Sequence, residues 1–405
     1  MAGKVMQKAE ELAEKYDTPL YVTDGDRMIA NYKRIFGTFS ERLPTRVYYA
    51  CKANANLAIL HLLYREGSYA DTVSIGEIFS CLKAGFPPEK IMFTGTNVRN
   101  DELIYLVNAG VLINIDSISE LVRLSKISAE PKLSFRVNPE IGAGHHEKVV
   151  TGKRTSKFGV PLNQIEGAVR KAIDYGFDVV GLHCHIGSGI LESGPFLKVV
   201  DRMCDLAESL ESSTGVEFEF IDIGGGFGVP YKRDEVALDI ENLAQEISDR
   251  FRGKILAIEP GRYIVADSTL LLTRVNTIKE TPEKTFIGAD AGFNTLIRPA
   301  MYGSYHRIMP VKGEGKKKRR YDIVGPLCES GDVFAEDREL PEVKEGDLLA
   351  ILDVGAYGFS MSSNYNSRLK PAEVMIKNGK DYLVREREKF EDLIKNQLVP
   401  EELPK

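Results

Sequence analysis

The sequence predicts an α/β protein, a parallel (β/α)8 TIM-like barrel followed by a smaller C-terminal antiparallel β-sandwich or barrel domain. Three observations carry this expectation. Eight apolar, β-rich runs recur between about residues 47 and 266, and the stretches between them space apolar residues three or four apart, as amphipathic helices do. Beyond about residue 266 the period falls to two, the mark of half-buried strands. Eight strand-helix units close as a parallel barrel. An open doubly wound sheet would follow its first strand with a GxGxxG turn, whereas the chain reads Ala-Asn-Ala-Asn after Lys52.

Residues 1 to 18 are polar and charged, suit an opening helix, and lack the apolar stretch of a signal peptide. A short strand is expected at Pro19 to Thr23. The barrel strands are expected at 47–52, 71–74, 91–94, 112–116, 132–137, 179–185, 218–223 and 255–259. Helices are expected at Gly76 to Ala84, Asp101 to Ala109, Leu162 to Tyr175 and Phe196 to Leu210. Later strands are expected at Leu270 to Ile278, Tyr321 to Val324, Leu348 to Asp353 and Ala372 to Ile376, with a closing helix over Phe390 to Asn396. The expected domains are therefore a barrel over 30–266 and a β domain assembled from 1–29 and 267–405.

Composition narrows the class. Charged residues are 28% and hydrophobic residues 43% of the 405, ordinary globular values. Lys+Arg 53 against Asp+Glu 59 leaves a net charge of −6, so no global positive field draws the chain onto nucleic acid. The basic run Lys316 to Arg320 follows Gly313 and Gly315 and reads as a solvated loop. Cysteines 51, 81, 184, 204 and 328 are odd in number and lack CxxC spacing, which points away from a disulfide framework or a zinc site and toward a reducing cytoplasm. No stretch approaches the ~20 apolar residues of a membrane-spanning helix.

Barrel sites form at the C-terminal ends of the strands. Lys52, Arg136, His185, Gly224 to Gly226 and Glu259 each fall at or next to such an end, and Asp71 falls beside a strand that it opens as delimited above. Lys52 ends an aromatic strand, so it is either a solvated strand end or a desolvated amine available as a nucleophile. Gly224-Gly225-Gly226 is either a tight βα turn or a cradle whose N–H groups approach an anion. Glu259-Pro260-Gly261-Arg262 offers a second anion site. Period two places His183 and His185 on one side of their strand. With no third ligand nearby in sequence, no metal site is expected, His183 reads as a hydrogen-bonded core histidine, and His185 suits stacking on an aromatic ligand. An amine, an anion cradle, a stacking ring and one carboxylate suit pyridoxal 5'-phosphate: Lys52 for its aldehyde, the glycines and Arg262 for its phosphate, Glu259 for its ring nitrogen.

The chain resembles the fold-type III pyridoxal-phosphate decarboxylases that act on ornithine, lysine, arginine and diaminopimelate. The matching stretches are YYACKAN (48–54), RVNP (136–139), KFG (157–159), GLHCHIGS (181–188), DIGGGFG (222–228), EPGRYIVA (259–266), RPAMYGSYH (298–306), GPLCESGD (325–332) and GAYGFSMSSNYN (355–366). The resemblance implies a barrel of the alanine-racemase type, Lys52 as the lysine that carries the cofactor, His185 against its ring and Glu259 at its nitrogen. It implies Ser188, Gly225, Gly226, Arg262 and Tyr357 around the phosphate, with Asp71, Pro260 and Gly261 alongside. It also implies a homodimer with active sites between subunits, the Cys328-Glu329 loop reaching the neighbour's barrel.

Within the resemblance, Arg298 and Arg262 suit a carboxylate and Glu329 an ammonium group, with Tyr302 and Tyr357 as hydroxyl donors, which together fit the distal end of diaminopimelate. The expected reaction is decarboxylation of meso-2,6-diaminopimelate to L-lysine, with Cys328 as the acid that reprotonates Cα. The alternatives are a decarboxylase of ornithine, arginine or carboxynorspermidine and a racemase on the same cofactor. Gly95 to Arg99, Ile75 and the stretch His145 to Lys148, part of an expected lid over His145 to Lys157, depart from the family pattern.

Overall fold

The structure, a computed structural model, describes residues 2–144, 156–251, 253–313 and 317–403. Most of the lid expected over His145 to Lys157 therefore lies outside the described residues. The chain divides into two compact units, one from Arg27 to Asp267 and one from Met1 to Asp26 with Ser268 to Lys405.

After β1 (Leu20–Asp24), which belongs to the second unit, the first unit contains β2 (Thr45–Ala50), β3 (Tyr69–Thr72), β4 (Ile91–Phe93), β5 (Leu112–Ile115), β6 (Lys132–Asn138), β7 (Val160–Pro161), β8 (Asp178–His183), β9 (Phe220–Asp222) and β10 (Ile255–Ile258). Hydrogen bonding runs β2-β3-β4-β5-β6-β8-β9-β10 and returns from β10 to β2, all parallel. This is the closed eight-stranded barrel that the sequence predicts, and β7 is a two-residue addition beside β6. Parallel strands buried on both faces need continuous apolar runs, which is why they were visible as such.

The crossovers repeat one local device. Asn56, Ser74, Ser117 and Asp239 each accept a backbone N–H from the first turn of the helix that follows, satisfying donors a helix start leaves unpaired. Each such cap is worth about 1 kcal/mol. Gly85, Gly110 and Gly215 end their helices at positive φ. At the N-terminal end of the barrel, Tyr48, Met92, Val180, Phe220 and Ala257 form an apolar cluster. The Phe220 ring lies where a Gly181 side chain would be, 2.4 Å from a Cβ built there. Apolar side chains thus occupy the barrel interior at that end.

The second unit adds β11 (Thr269–Glu280), β12 (Thr285–Ala289), β13 (Ile308–Pro310), β14 (Lys318–Val324), β15 (Val333–Pro341), β16 (Leu348–Ile351), β17 (Ala372–Lys377) and β18 (Lys380–Arg385). The sheet order is β15-β14-β12-β11-β1-β17-β18, with β16 joined to β11 and β13. The sheet is mixed rather than purely antiparallel, because β1 with β17 and β12 with β14 pair in parallel. Tyr21, Leu271, Leu349 and Ile351 point into one core, while Leu20, Val22, Leu270, Leu272, Leu348 and Ala350 point into another. Burial on both faces explains runs such as Leu270-Leu271-Leu272 in a region of period-two strands.

The basic run differs from its expectation as a loop. Lys318 to Arg320 open β14 and are exposed, with Lys318 2.8 Å from Glu339, Arg319 2.7 Å from Glu280 and Arg320 paired with Asp337. Cross-strand carboxylates thus turn a charge run into a strand end. Lys316 lies outside the described residues.

Candidate active site

β2 ends at Ala50, and one 3-10 turn, Cys51–Ala53, carries Lys52. Its Nζ lies 2.6 Å from Asp71 Oδ2, with the lysine side chain 31% exposed and the carboxylate fully buried. Lys52 is therefore a paired, half-buried amine rather than a solvated strand end. Asp71 does not open its strand. The ladder to β2 starts two residues earlier, at Tyr48 and Tyr69, so Asp71 falls in the C-terminal half of β3. Thr94 Oγ1 donates to the other Asp71 oxygen. Burial, and next the charge of Glu259, raise the Asp71 carboxyl above the usual range, while Lys52 and Thr94 pull against them.

β8 ends at His183, and the two histidines part there. His183 turns inward, its Nδ1 2.9 Å from Asn114 Nδ2 and its Nε2 3.2 Å from Glu259 Oε1. His185 belongs to the following loop, so the period-two placement of both rings on one strand face does not hold. Gly225 N–H donates to His185 Nδ1 at 3.2 Å. Burial first, and then the charge of Lys52, hold the His185 imidazole down at about 3, so it is a neutral ring with its proton on Nε2.

Glu259 follows β10 and is 3% exposed. Burial would raise its carboxyl, but the interactions of His183, followed by those of Lys52 and His185, outweigh it and hold the group at about 2. Asp222 behaves oppositely. Burial, then the charge of Glu259, push it well above the carboxylate range. His183, Asp222 and Glu259 offer ligand atoms within 4.8 Å of one another, so the third donor that the sequence does not reveal near the histidines is supplied by Asp222 and Glu259 from other strands.

The three glycines form the tight turn, the first of the two readings that the sequence left open. A Cβ on Gly224 would stand 2.4 Å from Cys184 O, one on Gly225 2.2 Å from Glu259 O, and one on Gly226 2.8 Å from Gly187 O. Their bare sides face protein, locking the turn between the His185 loop and Glu259. The Pro260-Gly261 turn is equally close, with a Gly261 Cβ 3.0 Å from Ala53 Cβ and 3.1 Å from Ala50 Cβ, which seats Arg262 beside the Lys52 turn. Arg262 is buried, its Nη2 3.1 Å from Ser188 Oγ and its Nη1 2.8 Å from Tyr231 Oη. Tyr231, which no sequence signal marked, therefore belongs to this corner. Arg136, on β6, lies 4.5 Å over the Phe158 ring with its Nε 4.0 Å from Asp116 Oδ1. Lys52, Asp71, His185, Ser188, Gly225, Gly226, Glu259, Pro260, Gly261 and Arg262 all belong to the barrel unit.

Arg298, Tyr302, Cys328, Glu329 and Tyr357 belong to the second unit. Arg298 and Tyr302 begin and end one five-residue helix, Arg298–Tyr302. Arg298 is 2% exposed, its Nη1 3.0 Å from His306 Nε2. His306 Nδ1 is 2.9 Å from Leu352 O and donates to it, so Nε2 is the acceptor for the guanidinium. Cys328 and Glu329 are exposed on a turn built around Asp332, whose carboxylate accepts the N–H groups of Leu327 at 2.8 Å and Phe293 at 2.6 Å. A Gly325 Cβ would stand 2.2 Å from that carboxylate. Tyr357 holds a φ of +60°, a left-handed conformation that costs an L-residue about 1–2 kcal/mol.

Comparison with known proteins agrees with this arrangement. The family model for pyridoxal-dependent decarboxylase, pyridoxal binding domain, matches residues 27–266. A diaminopimelate decarboxylase of Methanothermobacter thermautotrophicus is 53% identical, over 98% of this chain and 95% of that protein. The crystal structure of the M. jannaschii diaminopimelate decarboxylase with L-lysine superposes with a TM-score of 0.91 at 39% identity, over 97% of this chain and 94% of that one. The Helicobacter pylori diaminopimelate decarboxylase with L-lysine gives 0.91 at 36% identity, over 96% and 98%.

Proposed function

The chain belongs to the pyridoxal-dependent decarboxylases, and we propose that its reaction is the removal of carbon dioxide from meso-2,6-diaminopimelate to give L-lysine, with pyridoxal 5'-phosphate as cofactor. One observation carries the reading. An amine, a neutral ring, an enclosed anion and a phosphate-type corner meet at one end of the barrel, in a chain matched along nearly its full length by relatives of that activity. The donor set fits the cofactor. Lys52 would hold its aldehyde, Ser188, Gly225, Gly226, Arg262 and Tyr357 its phosphate, Glu259 its ring nitrogen and His185 its face, with Asp71, Pro260 and Gly261 alongside.

When bound, the cofactor supplies an electron sink for the pair left on Cα as carbon dioxide departs. The chain's own residues do the rest. Glu259, held at about 2, stays anionic at any working pH and favours a proton on the nitrogen facing it. His185 adds a ring without adding a positive charge. Asp71 keeps a counter-charge beside the Lys52 amine. Cys328 gives its thiol proton to Cα, the Arg298 fork takes the distal carboxylate, Glu329 takes the distal ammonium, and Tyr302 and Tyr357 donate from their hydroxyls. A homodimer completes the site. Cys328 and Glu329 are exposed on their turn, and a thiol acts as a selective proton donor where a second surface excludes water. None of the five cysteines forms a disulfide, which suits a reducing cytoplasm, and no helix among the described residues is long and apolar enough to cross a membrane.

The test is borohydride reduction of the cofactor-loaded protein followed by peptide mapping, with carbon dioxide release measured from meso-diaminopimelate, ornithine, arginine and lysine. Label on Lys52 and release from meso-diaminopimelate alone are expected. Label elsewhere, or preferred release from another substrate, refutes the assignment.

A further inference from the structure

Besides Glu120 Oε1, three enclosed side-chain polar atoms of the barrel unit lack an aligned hydrogen-bond partner: His183 Nε2, Asp222 Oδ2 and Glu259 Oε1. They meet in one place, with His183 Nε2 3.2 Å from Glu259 Oε1 and the ligand atoms of all three residues within 4.8 Å. Buried polar atoms are rarely left unpaired, so the protons here must be distributed in a way that joins them.

The far side of His183 fixes that distribution. Ser134 Oγ donates to Asn114 Oδ1 at 2.8 Å, which turns the amide nitrogen of Asn114 toward His183 Nδ1 at 2.9 Å. Nδ1 is then the acceptor, and the ring proton sits on Nε2, on the side of Glu259. The opposite assignment would set a bare Nε2 lone pair against a carboxylate oxygen 3.2 Å away, which is repulsive. Asp222 Oδ1 is already occupied by the Gly224 N–H at 2.7 Å, which leaves Oδ2 for the trio. The file crosses the barrel, with Asn114 on β5, Ser134 on β6, His183 on β8, Asp222 on β9 and Glu259 after β10.

Resting on the decarboxylase reading above, we propose that His183 is a positioning residue: carrying its proton on Nε2, it keeps Glu259 an anion and sets the direction of that carboxylate toward the cofactor ring nitrogen. Asn114 and Ser134 act behind it by holding the tautomer. His183 touches neither substrate nor cofactor, and its effect passes wholly through Glu259.

The tautomer is read in the apoprotein by nitrogen NMR of 15N-histidine-labelled chain, where His183 should show a protonated Nε2 and a bare Nδ1. Ser134→Ala, which removes one hydroxyl, releases the Asn114 amide to turn, so Nδ1 loses its fixed donor and its nitrogen signal should shift. In the second arm, apoprotein is titrated with pyridoxal 5'-phosphate. His183→Leu should bind it roughly 10- to 100-fold more weakly, the loss of one hydrogen bond to a charged group. His183→Gln, which returns an N–H near the place of Nε2, should recover most of that loss. An imidazolium or an Nδ1–H tautomer at His183, ring nitrogens unmoved by Ser134→Ala, or equal binding by the Leu and Gln variants overturns the proposal. Wild-type apoprotein that takes up no cofactor overturns the decarboxylase reading instead, while the nitrogen signals still decide the tautomer.

Discussion

Gly225→Ala tests whether the glycine turn is a spacer between the two functional loops. A Cβ on Gly225 falls 2.2 Å from the Glu259 carbonyl oxygen and 3.1 Å from its carbonyl carbon. An ordinary carbon–oxygen approach is about 3.3 Å, so the backbone must absorb roughly 1 Å. Little can give locally, because Glu259 N–H donates to Gly224 O at 3.0 Å and Gly225 N–H donates to His185 Nδ1 at 3.2 Å. The shift is therefore carried into His185 and Glu259. Overpacking of this kind costs about 1–3 kcal/mol of stability, and a displacement of about 1 Å at reacting groups costs on the order of 100-fold in rate. The thermal midpoint of the apoprotein reads the first effect, and cofactor titration with carbon dioxide release reads the second. Gly167→Ala is the control. It lies exposed in the helix Ile165–Asp174 with nothing within 4 Å of a built Cβ, and should stabilise by about 0.5–1 kcal/mol with activity unchanged. A Gly225→Ala enzyme with wild-type kcat/KM and wild-type cofactor affinity would refute the reasoning.

Burial lifts the carboxyl of Glu120, 2% exposed, to about 8. The folded chain then keeps a proton that the unfolded chain, titrating near 4.5, releases, so stability falls by about 1.4 kcal/mol per unit as pH rises through that window. Glu120→Gln should abolish this slope, and a thermal-midpoint difference from wild type that does not grow between pH 5 and pH 8 would contradict it. Arg298→Lys keeps the charge but loses the fork, so KM for meso-diaminopimelate should rise roughly tenfold with the cofactor absorbance intact. A bleached cofactor band would count against a role at the substrate's distal end. Cys328→Ser replaces an acidic thiol by a weakly acidic hydroxyl and should lower kcat by about 100-fold or more with cofactor affinity unchanged. Retained kcat would mean that the proton on Cα comes from elsewhere.

What could be read without coordinates follows from where the information is stored. The barrel strands were legible because both faces are buried, so they appear as apolar runs ended by polar or glycine residues. Only their limits moved, as at Tyr69 and Ala70 before Asp71. β12, β13, β15 and β18 were not read. β18 is largely exposed, and β15 has Asp337 at positive φ and register shifts against β14, so neither keeps a clean alternation. In the site, Lys52, His185, Glu259 and Arg262 stood out as charged or ring residues next to strand ends. The file behind them did not, although Asn114 within Leu112–Ile115 and Ser134 within Lys132–Asn138 carried a usable signal. A polar residue in the middle of a strand buried on both faces needs a partner. Which partner is a matter of register across the barrel, and no spacing along the chain encodes it. Tyr231 offers no signal at all, since its place beside Arg262 depends on the path of an irregular loop.

β1 pairs with β11 on one side and β17 on the other, and all five of its residues are buried. A ribosome delivers Leu20–Asp24 about 350 residues before the parallel partner Ala372–Lys377. At about 5–20 residues per second, the wait is roughly 20–70 s. Until β11 (Thr269–Glu280) emerges, Leu20, Tyr21 and Val22 present two open edges, the template on which strands of other chains add, and one of them stays open until Ala372–Lys377 follows. Arg27 to Asp267, by contrast, is one uninterrupted stretch whose strands all emerge before the second unit can close. Changes at Tyr21 or Val22 will therefore register as lost yield in the cell and dependence on chaperones before they register in turnover.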